Sequence, residues 1–423
     1  MYRVWYSTEA FANFIIDKTD LSSKPVVKEK LIPSDAKSDW FFRIPDHIRK
    51  ILYLDCPDII IEYNNEPILC IEDTKEAGTG HNVTQRFARI MAALEHNVPV
   101  IYLQPEAVIV PRKSKNKMHP KGSKKYGWDE LNPFLFAAMD RASEYYGVPA
   151  LFYYFPSDYP THSQSPQTAP HFTDKGIRFD SNRARYAGCP DSSDPEITKM
   201  LKLINKMINL GQHLQGNEYV STLKSNRDVM DQRDFMRQEQ YKKAQQKKAS
   251  ELSPATSTIT VPTSYVLNYL AKYEDTRYNI GALLRQREEC VIYQVDSSFR
   301  EDPYSGNLAA LDCVLCRTGR TFEDRDRNLI IAFGEVLKDD VNQTITIHSS
   351  KTTSVKDMFK AVQKSAQHNL LTKNYSELKN YQIPRYYMQV RYGSTYSKVK
   401  HVRVFSHLAD AILFEDGALW RDA

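Results

Sequence analysis

The sequence predicts a mixed α/β protein of the α+β kind: a core with a central mixed sheet flanked by helices, plus a second α+β domain. Three observations lead there. Over residues 1–155, apolar runs of strand length alternate with stretches whose apolar residues recur at helical spacing. Residues 156–262 break that rhythm with a loop rich in Ser, Pro, Asp and Thr and then a charged helical connector. Strand-like and helix-like runs resume over 263–423, as expected for a chain of 423 residues, too long for one ordinary domain.

The elements follow in order. "STEAFANFIIDK" places Phe11, Phe14 and Ile15 on one helical face. "DWFFRI" (39–44) has the length of a short strand, and Ile59–Tyr63 and Ile68–Ile71 are apolar runs of strand length around "NNEP". "HNVTQRFARIMAALEHN" carries Val83, Phe87, Ile90, Met91 and Leu94 on a helical stripe, and "VPVIYL" reads as a buried strand. "ELNPFLFAAMDRASEYYG" predicts another helix and "ALFYYF" another strand. "PEITKMLKLINKMINLGQHL" is helical, whereas "SNRDVMDQRDFMRQEQYKKAQQKKAS" is either a solvated connecting helix or a disordered link. "ELSPATSTITVPTS" marks a boundary near Pro254 to Pro262. Beyond it, "CVIYQV" and "AALDCVLC" read as strands and 354–371 as a helix. "RYYMQVRYG" and "KVKHVRVFS" read as a strand pair.

Composition narrows the function classes. An apolar fraction of 41% with 26% charged residues fits a globular chain, and no apolar run reaches bilayer length. The opening "MYRVWYSTEAFANF" lacks a basic n-region, an apolar h-region and a small-residue cleavage site, which predicts a cytoplasmic protein. Six cysteines in a chain this long do not make a disulfide framework; the C-x-x-C of Cys313 and Cys316 has no second pair beside it and reads as packed thiols. The net charge of +5 is mild, but "PRKSKNKMHPKGSKK" carries seven Lys and Arg without an acid. That run is either a solvated loop or, in a protein that acts on nucleic acid, a phosphate track through Lys113, Lys115 and Lys117.

The chemistry concentrates in "PDIIIEYNNEPILCIEDTKE", Pro57 to Glu76. A four-residue "NNEP" loop centred between Asn65 and Glu66 sets Asp58 opposite Asp73. Side chains alternate along a strand, so Asp73 and Lys75 share a face with Asp58, while Glu72 and Thr74 point the other way unless a bulge intervenes. The remaining strand positions are mostly apolar, which predicts burial on both faces, as in the middle of a sheet. Two carboxylates beside a lysine at a sheet end suit a hard cation: Mg²⁺, with Mn²⁺ as a substitute, held by Asp58, Asp73 and the Thr74 carbonyl. Lys75 would then orient or deprotonate the attacking water, or donate to a phosphate, in hydrolysis of a phosphodiester. The same spacing also fits a hairpin whose terminal acid and lysine form a surface ion pair, a contact worth little energy.

Read as Pro57, Asp58, Asp73, Thr74 and Lys75, the hairpin resembles the signature of the PD-(D/E)xK nuclease superfamily. The resemblance covers roughly residues 1–105. It implies a restriction-endonuclease-like core of helix, three strands, helix and strand, with Asp58, Asp73 and Lys75 as catalytic residues. Some family members add an acid from the first helix and a polar residue from the helix after the third strand; Glu9 and Gln85 are the local candidates. Whether Glu9, Glu72, His81 or Gln85 joins the site stays open. "EAGTGH" is either a plain loop or a backbone approach to phosphate.

No G-x-x-x-x-G-K-[ST] helicase signature is present. A stand-alone chain with such a core, basic loops and a large extra domain resembles a type II restriction endonuclease. That resemblance implies double-stranded DNA as substrate and a homodimer, because cutting both strands takes two active sites. Gln85, Arg86 and Arg89 after the hairpin, and Arg391, Lys398 and Lys400 in the later strand pair, are candidate DNA contacts. They equally suit solvent-facing positions. "FREDPYSGNLAALDCVLCRTGRTFEDRDRN" has Asp302 and Asp312 but no acid-x-lysine partner, and reads as structural or as a DNA-contacting turn.

Overall fold

The computed structural model describes residues 1–31, 43–52, 56–76, 89–112, 125–131, 134–159, 174–246, 257–272, 284–295, 327–348 and 409–420. They divide into two compact units, the first made of Met1–Pro33, Pro57–Asn82 and Ala93–Tyr241, the second of the remaining segments. Both are built on mixed sheets accompanied by helices, so the chain is of the α+β class.

The first unit holds a six-stranded sheet. Its strands are β1 (Tyr2–Tyr6), β2 (Val26–Lys30), β3 (Ile59–Tyr63), β4 (Glu66–Asp73), β5 (Val100–Pro105) and, after the two-strand pair β6 (Ala107–Arg112) and β7 (Lys125–Glu130), β8 (Ala150–Phe155). The order is β2-β1-β3-β4-β5-β8. β1–β3–β4 run antiparallel, whereas β5 and β8 continue parallel to β4. β3 to β5 are buried almost throughout, as a strand set covered on both faces requires. The basic run 113–124 lies outside the described residues, but the segments on either side of it, β6 and β7, pair antiparallel.

Helices cover both faces. α1 (Glu9–Asp17) buries Phe11, Phe14 and Ile15, the residues its spacing singled out. α2 (Phe134–Tyr146) sets Phe136 against Phe152 of β8, with ring centroids 4.9 Å apart. α3 (Pro195–Gly211) starts with Asp194, whose carboxylate accepts from the Glu196 N–H, and Pro195 at its first position. It lies on the opposite face, where its Ile208 carbonyl accepts from the Tyr2 hydroxyl. α4 (Gly216–Lys224) and α5 (Arg227–Gln246) follow. α5 does not stand off in solvent. Along the outer edge of β8, Gln232 Nε2 donates to the Phe152 carbonyl and Met236 Sδ accepts from the Phe152 N–H. Arg233 and Arg237 bind Asp140 and Glu144 of α2.

Three expectations need correction. Strand β1, "YRVWY", carries no long apolar run, yet it lies beside β3 in the sheet; Tyr2 and Val4 are buried and Arg3 is only half-buried. The first helix therefore follows the first strand. Ile44, expected at the end of a strand, lies in a bend ahead of a one-turn helix, Asp46–Arg49, while residues 39–42 lie outside the described residues. "STITVP", placed in a boundary segment, forms β9 (Ser257–Pro262), because alternating β-branched residues favour a strand.

The second unit has the order β15-β14-β11-β10-β9, from β10 (Glu289–Val295), β11 (Asn328–Phe333), β14 (Ala411–Phe414) and β15 (Gly417–Trp420). A separate hairpin joins β12 (Glu335–Asp339) and β13 (Thr344–His348). α6 (Thr263–Leu270) packs Val266 and Tyr269 into a core with Ile292, Ile330 and Leu413. Buried Asn328 Nδ2 donates to Thr263 Oγ1 and to the Leu284 carbonyl, and Asp410 Oδ2 accepts from the Leu329 N–H at 2.8 Å. The expected strand 309–316, the helix 354–371 and the strand pair at 385–406 lie outside the described residues.

Candidate active site

The β3–β4 hairpin turns on two residues, Asn64 and Asn65, with φ of 51° and 68°. Both are left-handed, the conformation of a type I′ turn, and asparagine tolerates it. The expected four-residue loop is thus replaced by a tighter one. The register then shifts: Glu62 pairs with Pro67 and Ile61 with Leu69, leaving Ile68 as an extra, bulged residue. Its carbonyl accepts from the buried Tyr219 hydroxyl at 2.9 Å. A Cβ on Gly211 would stand 2.8 Å from Ile68 Cγ2, so only glycine lets α3 come this close.

The bulge decides what meets at the far end. Ile59 pairs with Ile71, so continued pairing would set Asp58 opposite Glu72. Asp58 leaves the strand in a bend instead, anchored where its carbonyl accepts from the Ser7 N–H at 2.9 Å. Its carboxylate Oδ2 accepts from the Asp73 N–H, also at 2.9 Å. Asp73 shares register with Leu103 and Glu72 with Tyr102, so the two acids face opposite ways; Glu72 is buried away from the Asp73 side. Lys75 stands two residues beyond Asp73, with Nζ 3.7 Å from Asp73 Oδ2. Thr74 is buried between them. Its N–H donates to the Leu103 carbonyl at 3.0 Å and its hydroxyl accepts from the Glu76 N–H at 3.3 Å, which fixes the main chain around the carbonyl expected to face a metal.

Asp58, Asp73 and Lys75 are thus brought together, at the carboxyl ends of the parallel strands β4 and β5. Crevices outside such strand ends are where open α/β sheets bind ligands. Two carboxylates and a nearby carbonyl form the oxygen-only donor set that Mg²⁺ uses together with several waters. Among the described residues no group of three or more His, Cys, Asp or Glu side chains gathers as a closed cage.

Glu9 is not drawn into the set: it is exposed and held by Lys28 at 3.0 Å. Arg89 is half-buried in a helical segment described over 89–95 and falls in the second unit. Gln85, Arg86, His81, Lys113, Lys115, Lys117, Arg391, Lys398, Lys400, Asp302, Asp312, Cys313 and Cys316 lie outside the described residues.

The residues missed by reading the sequence come from 174–194, expected to be plain loop. Gly188 lies directly beneath Lys75, and Cys189 follows it. Burial, followed by the nearby Asp73 carboxylate, pushes the Cys189 thiol up to about 12, with Lys75 opposing. A thiol so protonated is an inert neighbour, not a nucleophile. Polar text without periodicity gave this stretch no signal of its own.

Comparison of the chain with protein-family models, curated proteins and solved structures returned no match.

Proposed function

We propose that the chain is a Mg²⁺-dependent endonuclease that hydrolyses phosphodiester bonds of double-stranded DNA, cutting at specific sites as a type II restriction enzyme does. The observation that supports it is the convergence of Asp58, Asp73 and Lys75 around a bulged hairpin, in a D-x(14)-D-x-K spacing like that of the PD-(D/E)xK superfamily. Asp58, Asp73 and the Thr74 carbonyl would hold the cation. When bound, it supplies Lewis-acid neutralisation of charge on the phosphate. Asp73 keeps Lys75 near the site, and the ammonium donates to the attacking water or to a phosphate oxygen, stabilising the charge that grows there. Asp58 fixes the Asp73 main chain with one oxygen and leaves its second for the metal. Action on both strands of a duplex implies two copies of this site, hence a homodimer.

Incubation with plasmid DNA and Mg²⁺, with Mn²⁺ as a substitute, tests the reading. Discrete fragments support site-specific cutting, and a smear supports a repair or anti-phage nuclease with the same chemistry. Intact plasmid, with Asp73→Ala changing nothing, refutes both and leaves a nucleic-acid-binding protein whose hairpin acids are structural.

A further inference from the structure

Lys75 lies past the end of β4, so the sheet's hydrogen bonds do not fix it, and its side chain is 40% exposed. A lysine stem with this freedom samples many rotamers. One backbone feature narrows them. A Cβ built on Gly188 would lie 2.8 Å from Lys75 Nζ and 3.0 Å from Cε. The last two atoms of the lysine therefore rest in the notch left by a missing side chain. Gly188 has a φ of +72°, a conformation that favours glycine.

The notch cannot recede, because its flanks are tied to α1. Tyr186 Oη and Arg185 Nε both donate to Asp17 Oδ2, and Cys189 Sγ lies 3.5 Å from the Ala10 carbonyl. The turn closes on itself where the Cys189 N–H donates to the Tyr186 carbonyl, and the Asp180 N–H donates to the Cys189 carbonyl, both at 3.0 Å. The cations of the same segment make a poorer case as a phosphate track. Lys175, Arg178 and Arg185 are each engaged by a carboxylate, of Glu76, Asp158 with Asp194, and Asp17 respectively, and the Arg183 guanidinium lies over the Phe179 ring at 4.6 Å.

We propose that Gly188 is a positioning residue: it seats the Lys75 stem so that the ammonium stays beside Asp73. The catalytic meaning of the seat rests on the nuclease reading; the contact itself does not.

The test is a double-mutant cycle on the full chain: wild type, Gly188→Ala, Lys75→Ala and the double variant. Thermal unfolding of a seated lysine gives a Tm loss for Gly188→Ala in both backgrounds, because alanine is strained at a φ of +72°, and a larger loss in wild type, where the Lys75 stem must also leave the notch. Cleavage by Gly188→Ala at saturating DNA falls about 100-fold, the order expected when a catalytic group moves by about 1 Å. DNA affinity measured in Ca²⁺ stays unchanged. Equal Tm losses in both backgrounds, or full cleavage by Gly188→Ala, overturns the seat. If the wild-type chain cuts no DNA, the nuclease reading fails while the Tm cycle still decides whether the seat exists.

Discussion

Replacing Asp58 by asparagine separates its two roles. In the structure one carboxylate oxygen accepts from the Asp73 N–H at 2.9 Å. The amide oxygen of asparagine can accept the same bond, so geometry is kept and only the charge is lost. A charge-assisted bond contributes about 1.5–3 kcal/mol and a neutral one about 0.5–1.5 kcal/mol, a net loss near 1 kcal/mol. Relief of repulsion between two neighbouring carboxylates works in the opposite direction. Asp58→Asn should therefore unfold within about 2–4 °C of wild type. Asp58→Ala deletes the acceptor and leaves the half-buried N–H to find another, costing about 1–3 kcal/mol. Thermal unfolding of the three proteins gives the stability series. Plasmid cleavage in Mg²⁺ gives the other axis, where both variants lose activity because half of the carboxylate pair is gone. If Asp58→Asn cuts DNA at the wild-type rate, Asp58 is only a main-chain acceptor, and the metal assignment fails.

Gln104 is fully buried on β5, and both its amide atoms lack a hydrogen-bond partner among the described residues. Gln104→Met should raise Tm, since each unsatisfied buried group costs about 1–3 kcal/mol; a fall in Tm would mean that the amide serves a water or a ligand. Tyr219→Phe removes the donor to the bulged Ile68 carbonyl. It should lower Tm by about 2–4 °C per kcal/mol lost; an unchanged Tm would show that the bulge needs no such support. The Cys189 thiol is raised to about 12 by burial and then by Asp73. A thiol that titrates higher in the folded chain than in the unfolded chain contributes stability below about pH 8.5, which is lost as pH rises toward the folded value. Tm measured from pH 8 to 10.5 should fall less steeply in Cys189→Ala than in wild type, and parallel slopes would count against the assignment.

Most of the central sheet was legible because fully buried strands are spelled as apolar runs. "ALFYYF" coincides with β8, residue for residue. Short or narrow signals were lost. β1 spans five residues with an arginine at its second position, and over 227–239, the described side chains of α5, the buried residues are Val229, Gln232 and Met236. The hairpin register was misjudged for a subtler reason. The Asn64–Asn65 pair does signal a two-residue turn, but the bulge at Ile68 depends on Gly211 and Tyr219, more than a hundred residues away. The meeting of Asp58 with Asp73 is thus a tertiary event, set by α3 and α4 as much as by spacing within the hairpin. The seat beneath Lys75 was hidden for the same reason, since it comes from the 174–194 segment.

The clasp of α5 on β8 also bears on how the chain matures. The N–H and carbonyl of Phe152 are completed by residues 80 and 84 positions downstream, and Tyr2 reaches Ile208, 206 positions away. Contacts of such sequence separation form slowly, because loop closure must precede their reward. During synthesis the sheet of the first unit has one strand edge open until Met236 has emerged. A fragment ending near residue 155 would keep that edge open for good, offering it to any other strand in solution.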